Sequence, residues 1–458
     1  MTMRPRSESL LDTITALATP VGRSALAVVR LSGPRTVELL RAIVPELPRP
    51  LPAREARLLS IRGRGGEMLD RGIVTFFPGP ASYTGEDMAE ISVHGSPVLA
   101  RGVLSALTDA GARVARPGEF TERAFLLGKM DLIEAEAVRE LIEARTETAA
   151  RFSARRLDGG LSARLSRIRE DLLGVAAHFA AAIDFSEDVG EEVPAPVARR
   201  LAQAAADLSA LAATHAAGRL LESGCRVAIL GLPNAGKSTL FNALVGSGRA
   251  IVTEVPGTTR DTLDATIDVE GIPVDLVDTA GLRETGDVVE RIGVERARAE
   301  GERADAVIYV YDVARGWQAE DEAAVQSWNG KPRLVVANKI DRLEAGRKGA
   351  PAPDGAEPIC GLAPEAGARL QALLAERITS GISTEAASDV LSSARQRDLV
   401  LRARDAAAEA SEALSRRVPP EYAATHVHAA LDALADLCGE TTSEDVLRRI
   451  FASFCIGK

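Results

Sequence analysis

Cysteines and aromatic residues are scarce in this sequence, and a long apolar run is missing. The chain has 458 residues, of which 4 are cysteines and 3% are aromatic. The cysteines, Cys225, Cys360, Cys438 and Cys455, lack the spacing of metal ligands or of a disulfide framework. No stretch reaches the roughly 20 apolar residues that a membrane-spanning helix needs, and no signal peptide is visible. We therefore expect a reduced, cytoplasmic protein without membrane association, divided into about two to four domains.

An excess of basic charge is also missing. The formal net charge is −10, which argues against a broad electrostatic footprint on nucleic acid. Any RNA partner must therefore be bound locally. The stretch Ala154–Asp171 is rich in arginine, but its alternating charge favours a solvated helix face over an RNA contact.

Four segments differ in their hydrophobic pattern. Residues 1–127 alternate short apolar runs with helical stretches, which predicts a small α+β domain. Residues 128–222 have the composition and spacing of long helices, and this pattern returns over 384–458. Residues 223–383 alternate strands and helices as an α/β nucleotide-binding domain does. The simplest arrangement is an all-α domain interrupted by an inserted α/β domain whose two ends lie close together.

A phosphate-binding motif follows the first strand of the inserted domain. Gly231–Ser238 reads GLPNAGKS, which fits G-x-x-x-x-G-K-[ST] between a strand and a helix. The glycines allow backbone N–H groups to surround phosphates, and the helix N-terminus adds its positive dipole end. We expect Lys237 to reach the β and γ phosphates and Ser238 to ligate Mg²⁺. The segment therefore predicts a P-loop.

Two further motifs follow in the order that a GTP site requires. Asp278-Thr279-Ala280-Gly281 ends an apolar strand, so Asp278 can hold Mg²⁺ through water and Gly281 can approach the γ-phosphate. Asn338-Lys339-Ile340-Asp341 follows a later apolar strand, RLVVA. The Asp341 carboxylate can accept from N1–H and the 2-amino group of guanine, whereas adenine would leave it unpaired, so GTP is favoured by about 10⁴-fold or more.

The hydrolytic machinery differs from that of Ras-like GTPases. Thr259, in the loop between the first two motifs, is the candidate to complete the Mg²⁺ shell. Leu282 follows Gly281 where those GTPases carry a water-positioning glutamine. Two substitutes are open, a monovalent cation in place of an arginine finger, or Glu290 acting on water. From the residues alone, Glu290 is more often a carboxylate on a helix surface.

Several segments together resemble the MnmE (TrmE) family of tRNA-modifying GTPases. They are the three motifs above and TPVGRSALAVVRLSG, PGPASYTGEDMAEISVHG, ARPGEFTERAFLLGKMDLIEAEAV and the terminal FCIGK. The resemblance covers essentially the whole chain, and the ARPGEFTERAF block and the CIGK end are specific to this family. It implies an N-terminal α+β dimerisation and folate-binding domain at 1–127, a helical domain in two parts at 128–222 and 384–458, and an inserted P-loop G domain of the TRAFAC class, Era/TrmE-like, at 223–383.

The resemblance also implies partners and a reaction. The protein would be a homodimer that forms a heterotetramer with the FAD-dependent protein MnmG. Together they would add a carboxymethylaminomethyl or aminomethyl group to carbon 5 of the wobble uridine of certain tRNAs. The one-carbon unit would come from 5-formyl- or methylene-tetrahydrofolate, and K⁺ would stimulate GTP hydrolysis.

Site residues follow from the motifs and the resemblance together. Catalytic roles fall to Glu290, which matches the family's water-orienting glutamate, to Lys237 and to Thr259. Mg²⁺ would be held by Ser238, Thr259 and, through water, Asp278, and K⁺ by Asn234, Thr253, Val255 and Thr258. Folate would be held by Arg30, Glu90, Lys129 and Lys458, with Cys455 as the one-carbon site. The GTP-binding set is Asn234, Ala235, Gly236, Lys237, Ser238, Thr239, Thr253, Glu254, Val255, Pro256, Gly257, Thr258, Thr259, Asp278, Thr279, Ala280, Gly281, Asn338, Lys339 and Asp341.

One departure and two alternatives complete the expectations. The Ser-Ala-x segment that backs the guanine in the family is replaced at Gly361-Leu362-Ala363, so side-chain support for the base is expected to be lost. The first alternative function is a ribosome-assembly GTPase of the Era or Der type, which would need a basic RNA-binding module. The second is a nucleotide-gated scaffold, which would not need a folate site.

Overall fold

The computed structural model describes residues 10–184, 194–247, 250–251, 263–278, 298–328, 330–342, 353–380, 390–416 and 418–458. These residues divide into two compact units. One unit is formed by Met1–Arg139 with Ala435–Lys458, and the other by Glu140–Leu434. No helix among the described residues combines the length and the apolar character that crossing a membrane requires.

The first unit is built on a six-stranded mixed sheet with the strand order β3-β4-β5-β2-β1-β6. Alternating apolar residues of β2 and β5, among them Val29, Leu31, Ile91 and Val93, form its core with two helices. The later of these helices begins with Pro97 and ends at Gly111, whose φ of +114° suits glycine. The strands are β1 Ile14–Leu17, β2 Leu26–Ser32, β3 Arg57–Arg62, β4 Met68–Phe77, β5 Met88–His94 and β6 Arg113–Val114. The helices are α1 Thr36–Ile43, α2 Pro97–Ala110 and α3 Glu119–Leu126.

Long helices precede and follow a sheet in the second unit. The earlier helices are α4 Leu132–Glu143, which begins in the first unit, α5 Glu147–Leu157, α6 Gly160–Asp184, α7 Ala195–Ala213 and α8 His215–Ser223. Apolar residues three or four apart, from Leu161 to Phe179, are buried along one side of α6. Within the stretch predicted as a solvated face, Arg155 is exposed but Arg156 is fully buried. The prediction is therefore wrong for Arg156, which pairs with the buried Glu140.

A seven-stranded sheet lies between those helices in the sequence, with the strand order β13-β12-β11-β7-β10-β9-β8. Its central strands are parallel and nearly continuously apolar, as expected for strands buried on both faces. The strands are β7 Cys225–Leu230, β8 Ala250–Ile251, β9 Leu263–Val269, β10 Ile272–Asp278, β11 Ala306–Asp312, β12 Arg333–Asn338 and β13 Glu357–Ile359. The helices of this segment are α9 Lys237–Ser247, α10 Ala319–Gln326 and α11 Ala366–Thr379.

The chain then returns to helices. These are α12 Ala394–Ser415, α13 Pro420–Cys438, which ends in the first unit, and α14 Glu444–Ala452 of that unit. Helix α12 packs along α7, which precedes the sheet in the chain, and α7 also packs on α6. The helical part of this unit is therefore formed from segments on both sides of the sheet in the sequence.

Candidate nucleotide-binding site and a second polar cluster

The P-loop leaves strand β7 in a conformation that requires its glycines. Gly231 has a φ of +145°, and a Cβ there would lie 2.1 Å from the carbonyl oxygen of Val310. Gly236 has a φ of +98°, and a Cβ there would lie 2.2 Å from Nδ2 of Asn338. Between them, the exposed Asn234 adopts a left-handed φ of +62°. The loop therefore meets the start of α9 in the way that anion-binding loops do.

Lys237 folds its side chain back across this loop. Its Nζ donates to the carbonyl oxygens of Gly231 at 2.9 Å and Leu232 at 3.1 Å. Burial lowers the pKa of Lys237, while the negative charge of Asp278 acts in the opposite direction. A phosphate at this loop would supply the opposite charge that a buried ammonium needs.

Hard oxygen donors stand beside Lys237. Ser238 is exposed in the first turn of α9, and the buried Asp278 ends β10, where it pairs in register with Ile229 of β7. A hydroxyl and a carboxylate of this kind suit Mg²⁺, which commonly takes few protein ligands and completes its shell with water and phosphate. The residues present therefore fit the predicted metal.

Asn338 joins the Asn338–Asp341 motif to the P-loop. It ends β12 and is buried, with 2% of its surface exposed. Its Nδ2 donates to the carbonyl oxygen of Ala235 at 2.9 Å, and its Oδ1 accepts from the N–H of Gly361 at 3.0 Å. A single side chain thus fixes two loops of the site.

Lys339 makes a second connection to the P-loop. Its Nζ donates to the carbonyl oxygen of Asn234 at 2.5 Å and forms an ion pair with Oδ2 of Asp312 at 2.7 Å. Burial alone would raise the pKa of Asp312, but hydrogen bonds from Lys339 and from the N–H of Ala314 bring it below its usual value. Asp312 therefore stays charged and holds Lys339 in place.

Asp341 is exposed on the 3₁₀ turn Ile340–Arg342 that follows β12. Its Oδ1 accepts a hydrogen bond from Sγ of Cys360, at a distance of 3.3 Å. Thr239 lies on the neighbouring helix α9 and is close to Gly361. If Gly361 carried a side chain, its Cβ would lie 3.4 Å from the methyl group of Thr239. The described P-loop residues and the Asn338–Asp341 motif therefore meet at one edge of the sheet.

Part of the predicted site lies outside the described residues. This part comprises Thr253, Glu254, Val255, Pro256, Gly257, Thr258, Thr259, Thr279, Ala280, Gly281 and Glu290. Two residues that do contribute to the described site were missed from the sequence, Asp312 and Cys360. Asp312 ends β11 and Cys360 follows β13, so both lie at the carboxyl ends of parallel strands, as Asp278 and Asn338 do. Their positions directly at strand ends could have identified them from the sequence.

A second polar cluster lies in the first unit. Arg30 of β2 pairs with Glu90 of β5 at 2.9 Å and donates to the carbonyl oxygen of Gly457 at 3.1 Å. Its guanidinium also lies over the ring of Tyr83, 5.9 Å from the centroid. Burial lowers the pKa of Lys458, with a further lowering from nearby Arg30 and an opposing effect of Glu90. The structure therefore brings three of the four predicted folate residues together.

The remaining predicted residues of this cluster lie around it. Cys455 is exposed on the same terminal segment as Lys458, and its carbonyl oxygen accepts from the N–H of Gly118 at 3.4 Å. Lys129 is exposed and donates to the carbonyl oxygen of Pro80 at 3.0 Å, in the loop that also carries Tyr83. Tyr83 was missed from the sequence, since only the fold brings its ring beneath Arg30. The cluster therefore combines cations, a carboxylate and an aromatic ring.

The sheet with parallel central strands, the glycine-dependent loop and the Asn338–Asp341 motif define a P-loop GTP-binding protein. Two family models match this chain, "GTP-binding protein TrmE N-terminus" over residues 13–129 and "MnmE helical domain" over residues 132–455. The chain belongs to the MnmE (TrmE) family of tRNA modification GTPases, and it is a GTP hydrolase. The predicted fold class, an α+β domain, a helical domain and an inserted P-loop G domain, is confirmed.

Relatives match over nearly their whole length. The tRNA modification GTPase MnmE of Aquifex aeolicus is 39% identical over 455 residues, covering 98% of this chain and 100% of that protein. The protein of the same name from Koribacter versatilis is 41% identical over 457 residues, covering 98% of this chain and 100% of that protein. Among solved structures, Era of Aquifex aeolicus aligns with 27% identity and a TM-score of 0.26, covering 40% of this chain and 66% of that chain. A TM-score of that size carries no conclusion about this chain.

Proposed function

We propose that this protein is a K⁺-stimulated GTPase that modifies carbon 5 of the wobble uridine of certain tRNAs. Working with the FAD-dependent protein MnmG, it adds a carboxymethylaminomethyl or aminomethyl group whose one-carbon unit comes from 5-formyl- or methylene-tetrahydrofolate. The observation that carries this proposal is the match to tRNA modification GTPases over 98% of the chain. That match supports tRNA modification over the ribosome-assembly alternative, because it includes the segments outside the G domain.

The nucleotide site assigns a task to each motif. The P-loop, with Lys237, binds the phosphates, and Asp341 binds the guanine. Ser238 and Thr259 would hold Mg²⁺ directly and Asp278 would hold it through water, and the ion would neutralise charge on the phosphates. This assignment is supported by the hydrogen bonds of Asn338, which join Ala235 of the P-loop to Gly361 of the loop that follows β13.

Hydrolysis in this proposal depends on a cation instead of a glutamine. Asn234, Thr253, Val255 and Thr258 would hold K⁺, which would supply the positive charge that an arginine finger supplies in other GTPases. The exposed Asn234 fits this role, because its carbonyl oxygen accepts a hydrogen bond from Lys339 and the residue remains accessible to solvent. Glu290 orients the attacking water.

Folate binding is assigned to the polar cluster of the first unit. Arg30, Lys129 and Lys458 bind carboxylates, Glu90 accepts from the pterin, and Cys455 lies at the one-carbon position. The ion pair between Arg30 and Glu90 supports the assignment, because both side chains are only partly exposed, at 18% and 30%, and so form a fixed pair. The protein acts in the cytoplasm as a homodimer, which forms a heterotetramer with MnmG and binds tRNA.

Mass spectrometry of wobble nucleosides tests this function. A strain that lacks this gene should lose the modified uridine and regain it with the wild-type chain, but regain little with the Arg30→Ala variant. The Arg23→Ala variant removes an exposed arginine of the same unit and should restore it fully. Purified Arg30→Ala should still hydrolyse GTP, which separates the folate site from the nucleotide site. Unaltered wobble nucleosides in the strain without the gene would refute the proposal.

A further inference from the structure

Helix α3 contacts several parts of the polar cluster in the first unit. It spans Glu119–Leu126 and lies in the ARPGEFTERAF block, within which none of the proposed site residues falls. We propose that α3 positions the folate-binding side chains. In this inference, Thr121 holds Tyr83 beneath Arg30, and Arg123 holds the loop that carries Tyr83. The inference rests on the proposed folate site.

Thr121 fixes the aromatic ring against which Arg30 lies. The Thr121 side chain is fully buried, and its hydroxyl shares a hydrogen bond of 2.8 Å with the hydroxyl of Tyr83. Burial raises the pKa of Tyr83, so the phenol stays neutral and keeps its proton for this bond. The Arg30 guanidinium lies over the same ring. The ring is therefore held at its hydroxyl and packed on its face.

The orientation of Arg30 decides what it can bind. A guanidinium carries five N–H donors in one plane. Nε donates to Glu90 and Nη1 to the carbonyl oxygen of Gly457, so two of the groups in this plane are already directed at the protein. The ring of Tyr83 packs against the face of the plane. A cation fixed in this way loses less conformational freedom when a ligand carboxylate binds to it.

Arg123 fixes the loop that carries Tyr83. Its side chain is 1% exposed. Its Nη1 donates to the two carboxylate oxygens of Glu86 at 3.1 and 3.0 Å, and to the carbonyl oxygen of Asp12 at 2.9 Å. Glu86 also accepts from Oγ of Ser32 at 2.8 Å, at the end of strand β2. A buried guanidinium thus joins α3 to the Tyr83 loop and, through Glu86, to β2.

Both ends of α3 are bound to the other cations of the cluster. The N–H of Phe120 donates to the main-chain oxygen of Lys458 at 3.2 Å. After the last turn of the helix, the N–H of Lys129 donates to the carbonyl oxygen of Ala124 at 2.8 Å. These bonds fix the main chain from which each lysine side chain extends. One helix therefore sets the positions of Arg30, Lys129 and Lys458 relative to one another.

A double-mutant cycle in folate binding tests the role of Thr121. Thr121→Val and Tyr83→Phe should each weaken binding of 5-formyltetrahydrofolate to the full chain by about three- to tenfold, the scale of one hydrogen bond. The double variant should bind no more weakly than either single variant, because both remove the same bond. Thr121→Ser keeps the hydroxyl and should bind as wild type does. Titration calorimetry measures all four variants. Fully additive losses, or wild-type affinity in Thr121→Val, would overturn the inference.

A buried threonine of the second unit is the control for a purely structural role. Such a role lowers the free energy of unfolding and leaves the folate affinity of the folded chain unchanged. Thr146→Val should show this pattern, because the Thr146 hydroxyl donates to the carbonyl oxygen of Gly271 at 2.7 Å, within the second unit. If Thr121→Val shows the same pattern, Thr121 is structural and the inference fails.

A conservative change tests Arg123. Arg123→Lys keeps the charge but replaces the planar fork with a single ammonium, so it cannot reproduce the bonds to Glu86 and Asp12 together. Binding of 5-formyltetrahydrofolate should weaken by at least about tenfold, the scale of a hydrogen bond to a charged group. Arg64→Lys changes an exposed arginine of the same unit and should bind as wild type does. Wild-type affinity in Arg123→Lys would contradict its positioning role.

Arg30→Ala separates this inference from the site on which it rests. If Arg30→Ala loses 5-formyltetrahydrofolate while Thr121→Val and Arg123→Lys bind it as wild type does, only the inference fails. If Arg30→Ala also binds it as wild type does, the folate site is wrongly assigned, and the inference fails with it.

Discussion

The amide of Asn338 donates to the carbonyl oxygen of Ala235 at 2.9 Å, joining the end of strand β12 to the P-loop. The opposite side of the same amide accepts from the N–H of Gly361. Since Asn338 is buried, each of these backbone groups depends on it for its hydrogen bond. The P-loop and the loop that follows β13 are thus connected through one side chain.

Asn338→Ala should therefore damage stability and nucleotide binding together. The substitution leaves the carbonyl of Ala235 and the N–H of Gly361 without this partner, each at a cost of about 1–3 kcal/mol when buried. Urea unfolding should show a lower free energy of unfolding, and a fluorescent GTP analogue should bind at least about tenfold more weakly. Asn242→Ala, an exposed asparagine on α9, is the control. Wild-type behaviour of Asn338→Ala would show that the connection is not needed.

A buried ion pair provides a second stability prediction. Arg156 pairs with Glu140, and their side chains are 0% and 1% exposed. Glu140 also accepts from Oγ of Ser392 at 2.8 Å, so the pair joins helices α4 and α5 to the segment before α12. Arg156→Ala should lower the free energy of unfolding by about 3–5 kcal/mol, because it removes one member of a buried ion pair. Arg155→Ala, its exposed neighbour, should change it by less than about 0.5 kcal/mol. Equal effects of the two variants in denaturant titrations would contradict this.

The proposed K⁺ site predicts that the rate of GTP hydrolysis depends on the identity of the salt. GTP hydrolysis should be at least about tenfold faster in K⁺ than in Na⁺, a small part of the 10³–10⁵-fold that an arginine finger supplies. Asn234→Ala should remove the difference, because it removes the side-chain oxygen proposed to hold K⁺. The measurement is single-turnover hydrolysis in matched chloride buffers. Equal rates of hydrolysis in the two salts for the wild type would contradict the assignment of a K⁺ site.

Glu290 should act on the chemical step and contribute little to binding. A carboxylate repels the triphosphate, so its removal should affect the transition state more than the ground state. Glu290→Ala should bind GTP normally and hydrolyse it about 10²–10⁴-fold more slowly. Stopped-flow binding beside single-turnover hydrolysis measures both. Unchanged turnover would show that Glu290 is a surface carboxylate without a catalytic role. Lost GTP binding would show that its role is structural.

The parts of the site that were predictable are contiguous in sequence. Gly231–Ser238 and Asn338–Asp341 are short motifs whose chemistry depends on local spacing, so the sequence alone identified them. Asp312 and Cys360 are single residues that reach the site only because β11, β12 and β13 lie side by side in register. Their roles depend on strand order, which no local pattern contains.

The fold shows the same division. Alternation and helical spacing predicted the α+β, helical and α/β segments, because each pattern reflects which face of one element is buried. The burial of Arg156 could not be predicted in this way. Its partner Glu140 is 16 residues earlier, and Ser392, which binds Glu140, is 252 residues further along the chain. The contact between Glu140 and Ser392 forms only when the segments before and after the inserted domain have packed together.

The most direct test of the central claim is reconstituted tRNA modification with a change of nucleotide specificity. The purified chain, MnmG, a tetrahydrofolate one-carbon donor and tRNA are incubated with GTP or with xanthosine triphosphate, and modified wobble uridine is measured by mass spectrometry. Wild type should produce it with GTP, whereas Asp341→Asn should produce it with xanthosine triphosphate and lose most activity with GTP, because the variant exchanges a guanine acceptor for a group that suits xanthine. Modified uridine formed equally well without nucleotide, or no modified uridine from the wild type with GTP, would contradict the account.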